Sequence, residues 1–212
     1  TKKKGYKYIG ITDHSQSLKV AGGLIKAELL KKIKKIEKIN SKLHNFFVFS
    51  CSEVDIKSDG SLDYDDEVLS KLDFVIGSIH TGFNMKKEDM TKRIIKAIKG
   101  KKMHIFGHPS GRLIGERDAY EVDMQEVIKA AGDYNVAMEL SASPFRLDLT
   151  DVNCRVAKDE KVLVCINTDA HAIGELNNMT YGVITARRGW LEKKDVLNCL
   201  KLENLMKFFK RK

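Results

Sequence analysis

The chain has 212 residues, 42% of them hydrophobic and 32% charged, with a formal net charge of +9. That length suits one well-buried domain rather than two, and no run approaches the roughly 20 apolar residues a membrane-spanning helix needs. The positive charge favours polyanions such as nucleic acid through counterion release, and equally fits a merely lysine-rich surface.

The N-terminal stretch TKKKGYKYIG has no apolar segment of the signal-peptide kind, so a cytoplasmic protein is expected. A first strand is predicted over Tyr8–Thr12. A long amphipathic helix follows, with Leu29, Leu30, Ile33, Ile36 and Leu43 on one face and Lys31, Lys34, Lys35 and Lys38 on the others. Strands are next predicted over Phe46–Cys51 and Phe74–Ile79, then a helix through EDMTKRIIKAIKG with Gly100 as its stop. The remaining strands are Ile105–Gly107, Val136–Leu140 and Val162–Ile166. Helices are predicted over Glu121–Tyr134, Asp151–Asp159 and the Lys193–Lys210 region. Near-continuous apolar strands are expected where helices cover a parallel sheet or ring a barrel. Two prolines, no repeat and no low-complexity linker leave 1–212 as a single domain. Cys51, Cys154, Cys165 and Cys199 follow no zinc spacing and read as reduced core thiols.

Polar residues recur where these strands end. YIGITDH closes on Asp13 and His14, FVFSCSEVD on Glu53 and Asp55, FVIGSIH on His80, HIFGHPSGR on His108, and VLVCINTDAH on Asp169 and His171. Parallel α/β folds gather such strand ends at one face. A lone histidine there is ordinarily a hydrogen-bonded side chain. Four of the six histidines so placed, two of them beside an aspartate, form instead a ligand set for zinc or manganese. His44, ending a helix, and His104, beginning a strand about 13 Å before His108, read as structural. Lys19, Arg112 and Arg146 lie in loops beside strand ends, where they could grip phosphate oxygens. VAGGL lacks the Lys-Ser/Thr of a phosphate-binding loop, and no nucleophile elbow is present.

Taken together, ITDHS, SEVDI, SIHTGF, GHPSGR and NTDAH resemble the polymerase and histidinol phosphatase (PHP) superfamily. SLKVAGGL, DGSLDYDDEVL, GHPSGRLIGERDAYEVD, PFRLDL and NMTYGVITARRGWLEKKDVLN resemble, more narrowly, the C-terminal PHP domain of bacterial and archaeal family X DNA polymerases. The resemblance runs from about Gly5 to the end. It implies a distorted, TIM-barrel-like (β/α)7 barrel with up to three divalent metals, Mn2+ or Zn2+. His14, Glu53, His80, His108, Asp169 and His171 would be ligands. Catalytic roles would fall to Asp13, Glu53 and His80, with Asp13 orienting a ligand or a water. Substrate contacts would come from Lys19, Ser110, Arg112, Ser141, Ser143 and Arg146, the two serines of ELSASPF standing where the family has Asn-x-Asn.

The family's H-x-H strand is missing from this sequence. The expectation is therefore a barrel whose first βα unit is largely absent, with two edge strands, an apolar gap and fewer bound metals. The chain would be the C-terminal part of a longer polypeptide that carries a polymerase domain. The implied activity is hydrolysis at DNA 3' ends in repair, as 3'-5' exonuclease, 3'-phosphatase or abasic-site cleavage. The alternatives are a histidinol-phosphate-type phosphatase and an inactive remnant with a structural or DNA-contacting role.

Overall fold

All six apolar runs become strands: β1 (Tyr8–His14), β2 (Phe47–Asp55), β3 (Phe74–Ser78), β4 (Ile105–Phe106), β5 (Ala137–Ser141) and β6 (Val164–Asn167). A computed structural model describes residues 1–210 and places them in one sheet, in chain order, every neighbouring pair parallel. The sheet curls into an open half-barrel alternating with helices, the distorted α/β barrel expected. The helices are α1 (Lys26–Asn40), α2 (Asp66–Leu69), α3 (Lys87–Lys99), α4 (Met124–Asp133), α5 (Asp151–Asp159), α6 (Met179–Arg188) and α7 (Leu202–Phe209).

β1 and β2 outrun their apolar stretches because the polar residues at their ends stay in the ladder, His14 opposite Glu53 and Asp55 opposite Ser78. α4 starts later than Glu121 because the Asp123 carboxylate caps it, accepting from Glu126 N at 3.1 Å. Two helices lack a sequence forecast. α2 is a single turn capped by Asp65. α6 is rich in β-branched residues of low helix propensity, and the bare Gly182 lets it lie against Ile166 and Ala142. The Lys193–Lys210 region is not one helix but two 3-10 turns, Lys193–Asp195 and Leu197–Cys199, followed by α7.

Inside the curl, Phe49, Cys51, Phe74, Ile76, Ile105, Ala137 and Cys165 pack against Leu197, Leu205, Phe208 and Phe209. α7 thus forms the floor, with Phe209 stacked on Phe74 at 4.4 Å. The outer faces of the strands pack on helices, as Val54 and Val75 do on Leu29 and Ile33. At the edges, the expected gap is bridged. Val196 pairs with Val164, and the Asn198 amide accepts from Ile166 N (2.8 Å) and donates to Ile166 O (2.6 Å), standing in for a strand backbone. On the other edge, Tyr8 Oη donates to the carbonyls of Asn198 and Leu200 (2.9 and 3.2 Å). Cys51, Cys154 and Cys165 are buried free thiols; Cys199 is exposed, since Leu197 takes the inward position of that turn.

Candidate metal centre

Strand alternation fixes the site. Phe49 and Cys51 face the interior, so Glu53 and Asp55 follow on the same face, above the apolar floor. Glu53 is 7% exposed. Its Oε1 lies 2.8 Å from His108 Nε2 and 3.3 Å from His80 Nε2, and its Oε2 lies 3.5 Å from His14 Nδ1. Neighbouring rings meet edge to face, His14 on His80 at 5.0 Å and His80 on His108 at 5.2 Å. Ligand atoms of His14, Glu53 and His80 all lie within 4.8 Å of one another. The buried His14 Nδ1 has no hydrogen-bond partner. A borderline imidazole–carboxylate donor set with an orphaned ring nitrogen fits a divalent metal such as zinc or manganese.

Two further carboxylates hold the imidazoles in place. Asp55 Oδ1 accepts from His80 Nδ1, so that His80 turns Nε2 toward Glu53. Asp55 Oδ2 accepts from Ser17 Oγ (2.5 Å), which ties the β1–α1 loop to the same ring. Glu139, buried on β5, accepts from His108 N at 2.6 Å and from Asn167 Nδ2 at 2.7 Å. The first bond steadies His108 in its positive-φ conformation (26°). Burial would raise the Glu53 carboxyl, but hydrogen bonds from His108 and His80 outweigh it and hold it well below the ordinary range. Burial would lower His80, but Asp55 and Glu53 push it up to about 9. Burial pushes Glu139 up to about 7 and lowers His14.

The remaining predicted residues scatter. Asp13 precedes His14 by one residue and so faces the helix layer, where it pairs with Lys32 at 2.5 Å. It makes no contact with the cluster among the described residues. Asp169 is partly buried, 3.7 Å from Arg146 Nε, and its carboxyl is raised by burial and by Glu53. His171 stands at the rim, its side chain 73% exposed, with Nδ1 donating to Asp169 O at 2.9 Å. Arg112 donates to the carbonyls of Arg146 and Leu147, which makes it a brace for the loop after β5. The hydroxyls of Ser110 and Ser141 are buried and have no hydrogen-bond partner; Ser143 is half-buried and Lys19 exposed. His44 is exposed. His104 sits at the floor, its Nδ1 accepting from Val75 N (3.1 Å) and its Nε2 meeting Phe209 O (3.0 Å). Asp55, singled out in the sequence only as a strand-end acid, gains a role here, and Ser17 and Glu139 join the site without having been singled out. The signal for Glu139 is an acid inside the apolar run VAMELSA; Ser17 carries none.

An open α/β barrel with imidazoles gathered on a buried carboxylate at the strand C-termini defines a metal-dependent hydrolase class. Known proteins narrow it. The chain is 33% identical over 177 residues to a probable phosphatase of Caldicellulosiruptor bescii, spanning 80% of this chain and 69% of that protein. It is 46% identical over 209 residues, 99% of its length, to the DNA polymerase/3'-5' exonuclease PolX of Bacillus subtilis, but spans only 37% of that protein. The crystal structure of histidinol phosphate phosphatase from Lactococcus lactis superposes with a TM-score of 0.57 at 12% identity, over 90% of this chain and 84% of that one. No family model matches the chain. The chain belongs to the PHP superfamily of metal-dependent phosphoesterases.

Proposed function

We propose that this domain hydrolyses phosphoester bonds at DNA 3' ends, in repair, with Mn2+ or Zn2+. The observation that carries the reading is the 46% identity, across nearly the whole chain, to a protein named for 3'-5' exonuclease activity. Because that relative is far longer, a polymerase domain in the same polypeptide and a cytoplasmic setting belong to the proposal. No helix among the described residues is long and apolar enough to cross a membrane.

In this reading His14, Glu53, His80 and His108 hold metal, with Asp169 and His171 completing the set from the rim. When bound, a divalent metal neutralises phosphoryl charge as a Lewis acid. The chain's own groups prepare the site for it. Glu53 stays ionised and supplies the anionic donor. Asp55 accepts the hydrogen bond of His80 Nδ1–H, leaving Nε2 for the ligand position, and Glu139 fixes the backbone of His108. Arg146, braced by Arg112, and exposed Lys19 receive phosphate oxygens, with Ser143 beside them. Asp13, Ser110 and Ser141 keep structural roles.

The test offers the purified chain, with Mn2+, a 3'-recessed oligonucleotide, a 3'-phosphorylated one, an abasic duplex and histidinol phosphate. Metal-dependent release from a DNA 3' end is expected. Turnover of histidinol phosphate alone would replace the reading with the small-molecule one. Inactivity on every substrate, also within the native polypeptide, would leave a remnant.

A further inference from the structure

The outer ridge of α1 is lined with lysines that the metal centre does not use. Leu29, Ile33 and Ile36 of this helix are buried. At about 100° per residue, Lys31, Lys35 and Lys38 cluster within about 60° of one another, directly opposite that buried stripe, with Lys34 beside them. All four are exposed, and none makes an ion pair among the described residues. Elsewhere on the helix charges are satisfied: Lys26 pairs with Asp65 and Glu67, and Lys32 pairs with Asp13. Of the two acids on α1, Glu28 turns back to accept from Ile25 N at 3.1 Å, and Glu37 lies on the flank, about 120° from the ridge centre.

Like charges at i,i+3 and i,i+4 weaken a helix, so the ridge works against the element that carries it. Its four charges sit within about 10 Å of helix axis. That density matches a polyanion rather than a single anion, since duplex DNA carries one charge per about 1.7 Å. The ridge is also well placed. α1 follows the loop that carries Lys19 and is tied through Ser17 to Asp55, so it begins at the end of the sheet where the cluster lies and leads away from it.

We infer that the Lys31–Lys38 ridge is a docking track for the sugar-phosphate backbone of DNA, gripping the strand whose 3' end enters the metal centre. This rests on the DNA reading above. The binding is electrostatic and sequence-independent, because lysine ammonium groups read phosphates and no base edges.

The test compares the wild-type chain with the triple variant Lys31→Gln, Lys35→Gln, Lys38→Gln. A control triple, Lys92→Gln, Lys99→Gln, Lys129→Gln, makes the same charge change on the exposed lysines of α3 and α4. Binding of a fluorescent 3'-recessed oligonucleotide is followed by anisotropy between 50 and 200 mM salt, and metal-dependent hydrolysis of p-nitrophenyl phosphate reports the centre itself. The ridge variant should lose about 2 to 3 from the slope of log K against log salt, at roughly 0.7–0.9 per phosphate contact, with p-nitrophenyl phosphate turnover unchanged. The control variant should keep the wild-type slope. Equal losses in both variants, or an unchanged slope in the ridge variant while wild type binds DNA, would overturn the track alone. A wild-type chain that binds no DNA at low salt would overturn the DNA reading and the track with it.

Discussion

Replacing Glu53 by Gln isolates what the buried carboxylate does. The substitution keeps the shape and one carbonyl oxygen, so His108, 2.8 Å from Oε1, still has an acceptor and the variant should fold. What disappears is the negative charge that reaches all three imidazoles, His14, His80 and His108, within 3.5 Å. For the wild-type chain, metal at a hundred times its Kd should stabilise the fold by about 2.7 kcal/mol. In a domain of this size that is a rise of about 5–10 °C in Tm. Loss of a partner that merely orients a ligand costs about 10- to 100-fold in affinity, so loss of an anionic ligand should reach at least the upper figure. The same metal concentration then lies near the variant's Kd. The stabilisation shrinks to about 0.4 kcal/mol, a rise of about 1–2 °C.

Differential scanning fluorimetry with and without Zn2+ or Mn2+, beside calorimetric titration of the same metal, reads both quantities without relying on turnover. A variant whose metal-induced rise equals that of the wild type would refute the assignment of Glu53. So would a wild-type chain that metal does not stabilise at all.

Removing the floor should separate stability from the site: Phe209→Ala empties the stack on Phe74 and should cost about 3–5 kcal/mol in urea unfolding, with metal affinity unchanged. In the chelated protein, His80 sits at about 9 instead of 6.5, so its contribution is fully present below pH 6.5 and is lost as pH rises through 9, about 3 kcal/mol in all. The urea midpoint should fall across that window in the wild type and stay flat in His80→Asn; a rising wild-type midpoint would contradict the ion pairs. Asn198→Ala leaves Ile166 N and O without their partners and should cost about 2 kcal/mol, with faster hydrogen exchange at Ile166. Unchanged protection there would mean the edge of β6 is closed by something else.

Strand ends told where the site lies because parallel α/β geometry brings every strand C-terminus to one face, and His14, Glu53, His80 and His108 meet there. They did not tell which way each side chain turns. Along β1 and β2 that was recoverable from alternation alone. Asp13, one residue before His14, must face α1, where Lys32 holds it, and Asp55, two after Glu53, must share its face and reach His80. Glu139 was harder, since one acid in an apolar run carries no label; its role came from tertiary contact with His108 N and Asn167. The helices divided similarly. α1 and α3 announce themselves by period, whereas α6 owes its existence to packing, Gly182 against Ile166 and Ala142. The edge of the half-barrel was the least legible feature. Asn198 closes it by imitating a peptide group, and a side-chain amide in a lysine-rich tail looks, in sequence, like any surface residue. The local pattern therefore locates the chemistry, while the supports that hold it rigid arise from contacts between residues far apart in the chain.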